Sequence, residues 1–255
     1  MSVTTRRLSC IALSGIPEIN TGDDIAGITF DLAEANGDPI EEGDVLVVAQ
    51  KIVSKTEGRF VDLKMTKPSV EAIKLAEKSG KDPRLVHHIL NESIEIVRAR
   101  EGLIIARHRN GFVVANAGID LSNSGTGEKA ILLPLNPDLS AERIATDMQA
   151  VSGKSVAVIV NDSMGRAWRN GTSGIAIGSY GVEALQDRRG QMDRDDKILQ
   201  SSEIALADEI AATGSLLMGQ GDESLPIVIL RGLNWVRGSG TAAELVRPLE
   251  QDLFK

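Results

Sequence analysis

The chain contains the segment Ser155-Val-Ala-Val-Ile-Val-Asn-Asp162-Ser163-Met-Gly165-Arg166-Ala-Trp168-Arg169-Asn-Gly171, which changes from apolar to polar at a single residue. The first half is a near-continuous apolar run, which is typical of a buried β-strand. The second half holds an acid, a hydroxyl, glycines and two arginines. We therefore expect the strand to end near Asp162 and to lead into a polar loop.

The residue types of this loop favour the binding of ions. A carboxylate beside a hydroxyl supplies the oxygen ligands that Mg²⁺ or Mn²⁺ prefers. Arg166 and Arg169, three residues apart, suit the oxygens of a phosphate or a carboxylate. The same segment is also compatible with an ordinary turn whose Asp-Ser-Gly is solvated, so taken alone it leaves both interpretations open.

The composition is that of a globular protein and argues against several function classes. The chain has 255 residues, of which 42% are hydrophobic and 25% charged, and it can bury a full core as one large domain or two small ones. Because aromatic residues make up only 3%, stacking platforms for single-stranded nucleic acid would be hard to build. The net charge of -8 argues against a general nucleic-acid binder.

Cysteine and histidine provide no metal or disulfide framework. The one cysteine, Cys10, excludes an intrachain disulfide and a cysteine-based zinc cluster. His87 and His88 are neighbours in a predicted helix and point about 100° apart, so they lack the spacing of a zinc-binding helix face. No signal-peptide core follows residues 1–7, and no apolar run reaches membrane length. We expect a soluble, cytoplasmic protein without membrane or nucleic-acid partners.

Hydrophobic periodicity and turn residues predict a mixed α/β, or α+β, fold. Asn110-Gly111 between two apolar runs indicates a β-hairpin, and Ser140 is a candidate cap for the helix that follows. We expect strands at 8–13, 44–49, 103–106, 112–115, 131–135, 155–161, 172–179 and 227–230, and helices after residue 25, from about 68 and 83, and at 140–151 and 204–217. Residues 235–255 are predicted to form a polar tail with a short helix near 242–249.

Other polar clusters follow predicted strands or helices. They are Lys51, Lys55 and Arg59; Asp120 with Asn123; and the glycine-rich loop 218–226. Each has a plain interpretation as well: a solvated basic loop, a self-bonded turn, or a helix C-cap. If they converge with Asp162 and Ser163, they could hold one or two divalent cations, with Lys51, Lys55, Arg166 and Arg169 offsetting phosphate charge. Such convergence would favour nucleotide-dependent group transfer over unassisted hydrolysis.

Five short motifs, in this order, resemble those of the coenzyme F420-0:L-glutamate ligase family. They are Leu13-Ser-Gly-Ile-Pro17, Val53-Ser-Lys-Thr-Glu-Gly-Arg59, Asn116-Ala-Gly-Ile-Asp-Leu-Ser-Asn123, Asn161-Asp-Ser-Met-Gly-Arg-Ala-Trp-Arg-Asn-Gly171, and Ala207-Asp-Glu209 through Met218-Gly-Gln-Gly221. The resemblance runs from about Leu8 to Asn234. It implies one catalytic domain over 1–234, either undivided or built from two subdomains, followed by the tail 235–255.

The resemblance implies a GTP-dependent ligase that adds L-glutamate to the terminal carboxylate of F420-0, and further glutamates through γ-linkages. It also implies an intertwined homodimer and the use of two Mg²⁺ or Mn²⁺ ions, with K⁺ as a helper. Two alternatives stay open at this point. The same scaffold could be an amide ligase for another carboxylate acceptor, or it could bind a nucleotide without catalysis.

The family pattern assigns roles to individual positions. GTP contacts fall on Leu13, Ser14, Gly15, Ile16, Gln50, Lys51, Lys55 and Asn123, and on the loop Met218, Gly219, Gln220, Gly221, Asp222, Glu223, Ser224 and Leu225. Metal positions fall on Asp120 and Asp162 for one ion and on Ser163 and Gln220 for a second. From their charge and place we expect Arg166 and Arg169 to bind phosphate or the acceptor carboxylate, so that they share the catalytic work with Asp162.

The central motif departs from the bacterial form of the family, Asp-Thr-Phe-Gly-Arg-Pro-Trp-Arg-Arg-Gly. Ser163, Met164, Ala167 and Asn170 differ from it. Serine keeps the hydroxyl oxygen that a metal needs, whereas Asn170 removes an arginine and affects how the acceptor would be bound. The chain also lacks the flavin-type domain that some relatives carry, so it resembles the stand-alone form.

Overall fold

A computed structural model describes residues 5–121, 128–233, 235 and 237–252, and every structural statement below refers to these residues. In chain order the elements are β1 Ser9–Ala12, α1 Ile25–Asn36, β2 Val45–Ala49, α2 Gln50–Thr56, β3 Phe60–Asp62, α3 Val70–Ser79, α4 Pro83–Glu92, β4 Ser93–Arg100, β5 Leu103–His108, β6 Val113–Ala115, β7 Lys129–Ile131, α5 Pro137–Ser152, β8 Ala157–Arg166, β9 Arg169–Tyr180, β10 Gln186–Asp187, β11 Glu203–Ile204, α6 Leu206–Met218 and β12 Ile227–Arg231. Short 3₁₀ turns lie at Leu63–Met65, Asn116–Gly118, Ala242–Leu245 and Leu249–Gln251.

The central sheet has the strand order β1-β12-β2-β8-β9, with β2 and β8 parallel and the other pairs antiparallel. Its middle strands are apolar on both faces because helices cover both sides. Leu46 and Val158 belong to the core under α1 and α5, whereas Val47 and Ile159 belong to the core under α6. The predicted mixed α+β fold is confirmed.

A second group of elements packs beside this sheet. The strands β4, β5 and β6 form an antiparallel sheet, and a third apolar core lies between it and helices α3 and α4. The hairpin predicted around Asn110-Gly111 is confirmed, since β5 and β6 pair with Ile105 opposite Ala115. Sequence analysis missed β4, whose irregular pairing with β5 and largely exposed residues hide the alternation expected of a strand.

The predicted end of the strand near Asp162 is wrong. Strand β8 continues to Arg166, and β9 begins at Arg169, so the polar residues lie on a long hairpin. Pairing with β9 keeps this part of the chain extended, with Ser163 opposite Gly174. The register shifts between Val160 and Asn161, a β-bulge of the kind that often re-aims side chains at the edge of a site.

The basic segment after β2 is a helix, not the solvated loop that sequence analysis favoured as its plain interpretation. Helix α2 runs from Gln50 to Thr56, and Ile52 and Val53 are buried in the main core. The burial of Ile52 and Val53 anchors this short segment against the core. As a result, Lys51 and Lys55 lie one turn apart on the same side.

The cap of α5 is Asn136 rather than the predicted Ser140. The Asn136 side chain accepts a hydrogen bond from the Leu139 amide at 3.2 Å, and Pro137 occupies the first turn. Ser140 lies inside the helix, where its hydroxyl donates to the carbonyl of Asn136 at 3.0 Å and also bonds to the carboxylate of Glu57. Pro137 starts the helix earlier than the apolar pattern indicates, because proline is favoured at this position.

We expect Asn136→Ala to lower the free energy of unfolding by about 1 kcal/mol, because the first turn of α5 loses its side-chain cap. Glu142→Ala, on the exposed face of the same helix, should leave stability unchanged or slightly raised. Chemical denaturation of both variants measures the difference. An unchanged midpoint for the Asn136 variant would contradict the assignment of the cap.

The segment after β12 packs against the body of the protein. The Trp235 indole donates to the carbonyl of Gly43 at 3.0 Å, and the amide of Ala242 donates to Asp138 at 2.8 Å. Asp252 bonds to Arg107 at 3.0 Å. In the described part of the chain, none of the helices has both the length and the apolar character to cross a bilayer.

Candidate functional site

A cavity of about 510 Å³ opens at the carboxyl end of β2, where the parallel strand β8 continues past it. Ala49, the last residue of β2, is paired with Asn161 of β8, and the carboxyl ends of neighbouring parallel strands are where α/β proteins place ligands. The turn after β1, the start of α2 and the loop after α6 close the other sides. Of the predicted site residues, the cavity is lined by Ile16, Gln50, Lys51, Lys55, Asp162, Ser163, Met218, Gly219, Gln220, Gly221, Asp222, Ser224 and Leu225.

Two carboxylates approach each other beside the cavity. Lys51 Nζ lies 2.8 Å from Asp120 Oδ2, and both interact electrostatically with Asp162. The backbone of Asp120 exchanges two hydrogen bonds with Ile131, at 3.0 and 2.9 Å, which fixes its position. The pKa of Asp162 is raised to about 7, mainly by burial and also by the negative charge of Asp120, although the Ser163 amide and Lys51 act to lower it.

The turn that leads to Asp120 is strained. Asn116, Ala117 and Gly118 have φ values of 52°, 55° and 70°, in the left-handed region that non-glycine residues rarely adopt. Ala117 is fully buried there. Strain of this kind persists only where the surrounding structure holds it, and it is enriched at functional sites.

Alternation along β8 divides the site into two faces. Asp162 faces α2 and Asp120, whereas Asn161 faces α6 and donates through its amide to Met218 Sδ at 3.4 Å. Gln220, on the loop after α6, donates to Ser215 Oγ at 3.4 Å. The two sets of predicted metal residues, Asp120 with Asp162 and Ser163 with Gln220, therefore belong to opposite faces of one strand.

The donor set fits a hard divalent cation. One face of β8 offers the carboxylates of Asp120 and Asp162, and the other offers the Ser163 hydroxyl and the Gln220 amide oxygen. Burial and the nearby charge of Asp120 raise the pKa of Asp162, a cost that a bound cation would remove. Among the described residues, His, Cys, Asp and Glu nowhere form a group of three with metal-binding geometry. Mg²⁺ is commonly held by one or two carboxylates together with substrate phosphates, so two are sufficient.

Asp162 should make the cation-free protein less stable as the pH rises. Folding raises its pKa from 3.8 to about 7, so between these values the unfolded chain releases a proton that the folded protein keeps. The free energy of unfolding therefore falls as the pH rises from about 4 to about 7, and the loss is complete above that range. Since part of Asp162 faces the cavity, water reduces this loss.

We expect Asp162→Asn to be more stable than the unsubstituted protein at pH 8 by on the order of 2 kcal/mol, and to show no gain near pH 4. Urea unfolding at both pH values, with a chelator present, measures the difference. A gain of the same size at both pH values would contradict the assignment of the raised pKa to Asp162.

Glu223 organises the loop between α6 and β12. Its carboxylate accepts a hydrogen bond from the Gly221 amide at 2.8 Å, and the amides of Glu223, Gly221 and Gln220 together lower its pKa. Gly219 has a φ of 71°, which favours glycine, and a Cβ at this position would displace the Glu223 carboxylate. The loop therefore holds its backbone amides around a negative charge.

Comparison with known proteins identifies the family of this chain. Residues 15–232 match the family described as F420-0:Gamma-glutamyl ligase. The chain belongs to this family. A Methanothermobacter thermautotrophicus protein named coenzyme F420:L-glutamate ligase is 44% identical over 250 residues, 97% of this chain and 99% of the relative. Proteins of the same name from Methanocaldococcus jannaschii and Archaeoglobus fulgidus are 46% identical over 217 residues (85% of this chain, 86% of the relative) and 39% identical over 249 residues (98% and 97%).

Several residues that the family pattern implies do not line the cavity. Leu13 is fully buried in the main core, and the hydroxyl of Ser14 donates to Asn36 at 2.8 Å. Gly15, Asp120 and Glu223 lie just outside the cavity wall, whereas Arg166 and Arg169 lie at the far end of the β8–β9 hairpin. Asn123 falls outside the described residues.

Arg59, part of the basic cluster noted in the sequence, contacts residues outside the cavity. It bonds to the carbonyl of Leu133 and to the buried carboxylate of Glu92, each at 2.9 Å. This arginine therefore ties the segment after α2 to helix α4. We find no role for it in the cavity.

Sequence analysis missed Glu18, Asn161 and Ser215, which also line the cavity. Glu18 Oε1 lies 2.5 Å from Lys55 Nζ, so the protein's own carboxylate neutralises that lysine. Glu18 directly follows the quoted motif that ends at Pro17, and Asn161 opens the central motif, so proximity to motifs could have indicated both. Ser215 is inside α6, where only the packing of that helix brings it to the cavity.

Proposed function

We propose that this protein is a GTP-dependent ligase that adds L-glutamate to the terminal carboxylate of coenzyme F420-0 and further glutamates through γ-linkages. The names of its relatives support the two substrates. One observation carries the proposal for a nucleotide: four separated segments of the chain contribute two lysines, a carboxylate and a glycine-rich loop to one cavity. That combination of groups suits a bound triphosphate and its counter-ions.

In the proposed reaction, the γ-phosphoryl group of GTP passes to an oxygen of the F420-0 carboxylate, giving an acyl phosphate and GDP. The amine of glutamate then attacks the carbonyl carbon, inorganic phosphate leaves, and the nitrogen loses a proton to form the amide. Phosphoryl transfer needs positioning and charge stabilisation more than covalent help from the protein. The side chains of the cavity are suited to those two tasks.

Lys51 and Lys55 would bind phosphate oxygens. In this structure Lys51 pairs with Asp120 and Lys55 pairs with Glu18. A bound phosphate would take the place of the carboxylate at each lysine. The amides of the loop 218–225 would bind the remaining phosphate oxygens.

Asp120 and Asp162 would hold one Mg²⁺ or Mn²⁺ ion, and Ser163 and Gln220 a second. When bound, such ions offset the charge of the transferring phosphoryl group. Arg166 and Arg169 would bind the acceptor. A role for K⁺ and an intertwined homodimer remain predictions from the resemblance, and a cytoplasmic location remains a prediction from the sequence.

Incubation with GTP, Mn²⁺, L-glutamate and F420-0, followed by mass spectrometry, tests the proposal. We expect products heavier than F420-0 by whole glutamate residues, and none when GTP is replaced by a non-hydrolysable analogue. Product formed only with a different carboxylic acid would identify an amide ligase with another acceptor. GTP binding without any product would identify a non-catalytic nucleotide-binding protein.

A further inference from the structure

The tip of the β8–β9 hairpin carries an exposed aromatic side chain. Trp168 is 87% exposed in a protein with only two tryptophans and 3% aromatic residues. Its backbone has a φ of 63°, in the left-handed region that a bulky residue rarely enters. A strained backbone that presents an indole to solvent adds nothing to the core and indicates a binding role.

Arg166, two residues before Trp168, carries a side-chain nitrogen that makes no hydrogen bond among the described residues. Arg166 Nη1 is buried and has no hydrogen-bond partner among the described residues. A buried guanidinium nitrogen without an acceptor is costly, and an anionic ligand would remove the cost. Arg169 is the cross-strand partner of Arg166, so a second cation lies at the same level of the hairpin.

The hairpin also sets the distance between this tip and the cavity. Asp162 and Arg166 are four residues apart on one extended strand, which corresponds to about 13 Å. A ligand that reaches from the cavity to the tip must therefore be long. It must also combine a planar ring with an anionic group.

We propose that the hairpin tip binds the ring end of the acceptor, with Trp168 stacked on the deazaflavin ring of F420-0 and Arg166 bound to the phosphate of its tail. This inference rests on the proposed function. In F420-0 the ring and the reacting carboxylate lie at opposite ends of a flexible ribityl phosphate chain. The carboxylate can then lie near Asp162 while the ring stays at the tip.

Trp168→Gly is the variant that tests the stacking. Glycine adopts a φ of 63° without strain, so the hairpin should keep its shape while the indole is removed. We expect KM for F420-0 to rise roughly tenfold or more, because aromatic stacking of a ring is worth about 1–3 kcal/mol. The value of kcat and the KM for GTP should change by less than about twofold, since stacking acts equally on bound substrate and transition state.

Trp168→Tyr should keep most of the affinity, because tyrosine also presents an aromatic face. Leu216→Ala is the control, because it removes a highly exposed apolar side chain from α6, away from the hairpin tip. It should leave kcat and the KM values for F420-0 and GTP unchanged. Thermal unfolding of each variant checks that the fold is intact. An unchanged KM for F420-0 in Trp168→Gly, or a tyrosine variant as weak as the glycine variant, would overturn the proposal.

Direct binding gives a second measurement. The fluorescence of the deazaflavin ring should be quenched on binding to the unsubstituted protein, and much less on binding to Trp168→Gly at saturating protein. Arg166→Gln should weaken the binding of F420-0 but not of the ring compound that lacks the phosphate. Equal weakening of both compounds would overturn the role of Arg166.

The outcomes separate this inference from the proposed function. If the unsubstituted protein forms glutamylated F420-0 and Trp168→Gly retains its KM, only the inference fails. If the unsubstituted protein neither binds nor modifies F420-0, the proposed function fails and the inference fails with it.

Discussion

Asp162→Asn is expected to lower GTP-dependent glutamylation of F420-0 on the order of 10³-fold, because the neutral amide cannot supply the charge that a divalent cation needs. The substitution preserves the shape of the side chain. Since it also removes a buried charge, the fold should be retained and even stabilised above pH 7. Initial rates at saturating GTP and glutamate, over a range of Mn²⁺ concentrations, measure the effect.

Asp187→Asn is the matched control for this experiment. Asp187 is exposed and pairs with Arg189 at 2.7 Å, on a surface segment whose residues do not line the cavity. We expect that variant to keep full activity. If Asp162→Asn retained more than about a tenth of the activity at any Mn²⁺ concentration, Asp162 would not be the essential metal ligand.

Gly174→Ala should be the most destabilising of the conservative substitutions near the site, costing about 3 kcal/mol. Gly174 lies opposite Ser163, at the point where α6 packs against β9. An added Cβ would lie 2.5 Å from the carbonyl oxygen of Ala211 and 2.7 Å from both Asn161 Oδ1 and the Cβ of Ser215. The backbone oxygen cannot rotate away, so α6 would have to move, and with it Ser215 and the loop that begins at Met218.

Gly165→Ala provides the control on the same hairpin. A Cβ at Gly165 would meet nothing within 4 Å, and the residue does not need a left-handed backbone. We expect its free energy of unfolding to change by less than about 0.5 kcal/mol. Urea unfolding of both variants makes the comparison, and equal effects would show that the packing of α6 on β9 tolerates a methyl group.

The local sequence was sufficient to predict the apolar strands, the starts of two helices and the family. The runs 45–49, 157–160 and 227–230 are buried strand segments, and each consists of β-branched and aliphatic residues that only a covered sheet accommodates. The helices α3 and α4 begin at a serine cap and an aspartate cap, with Pro83 in the first turn of α4. Five motifs in one order indicated the F420-0:gamma-glutamyl ligase family, to which the chain belongs.

Long-range pairing decided what the polar residues do. A polar segment such as Asp162 to Arg166 has no apolar pattern, so its sequence favours a loop, and only the hydrogen bonds of β9 make it a strand. The pairs Lys51 with Asp120 and Lys55 with Glu18 join residues 69 and 37 positions apart. Periodicity reports on neighbours within a few turns and therefore cannot detect them.

The sequence by itself determined which segments are buried and which motifs carry polar chemistry, because burial follows from apolar periodicity and motifs are local. Only the tertiary structure decided that Asp162 has a pKa near 7, that Ser163 faces away from it along β8, and that Trp168 is held exposed beyond the cavity. Each of these properties depends on which distant segments surround the residue. Burial, charge and strand pairing are set by those neighbours in space.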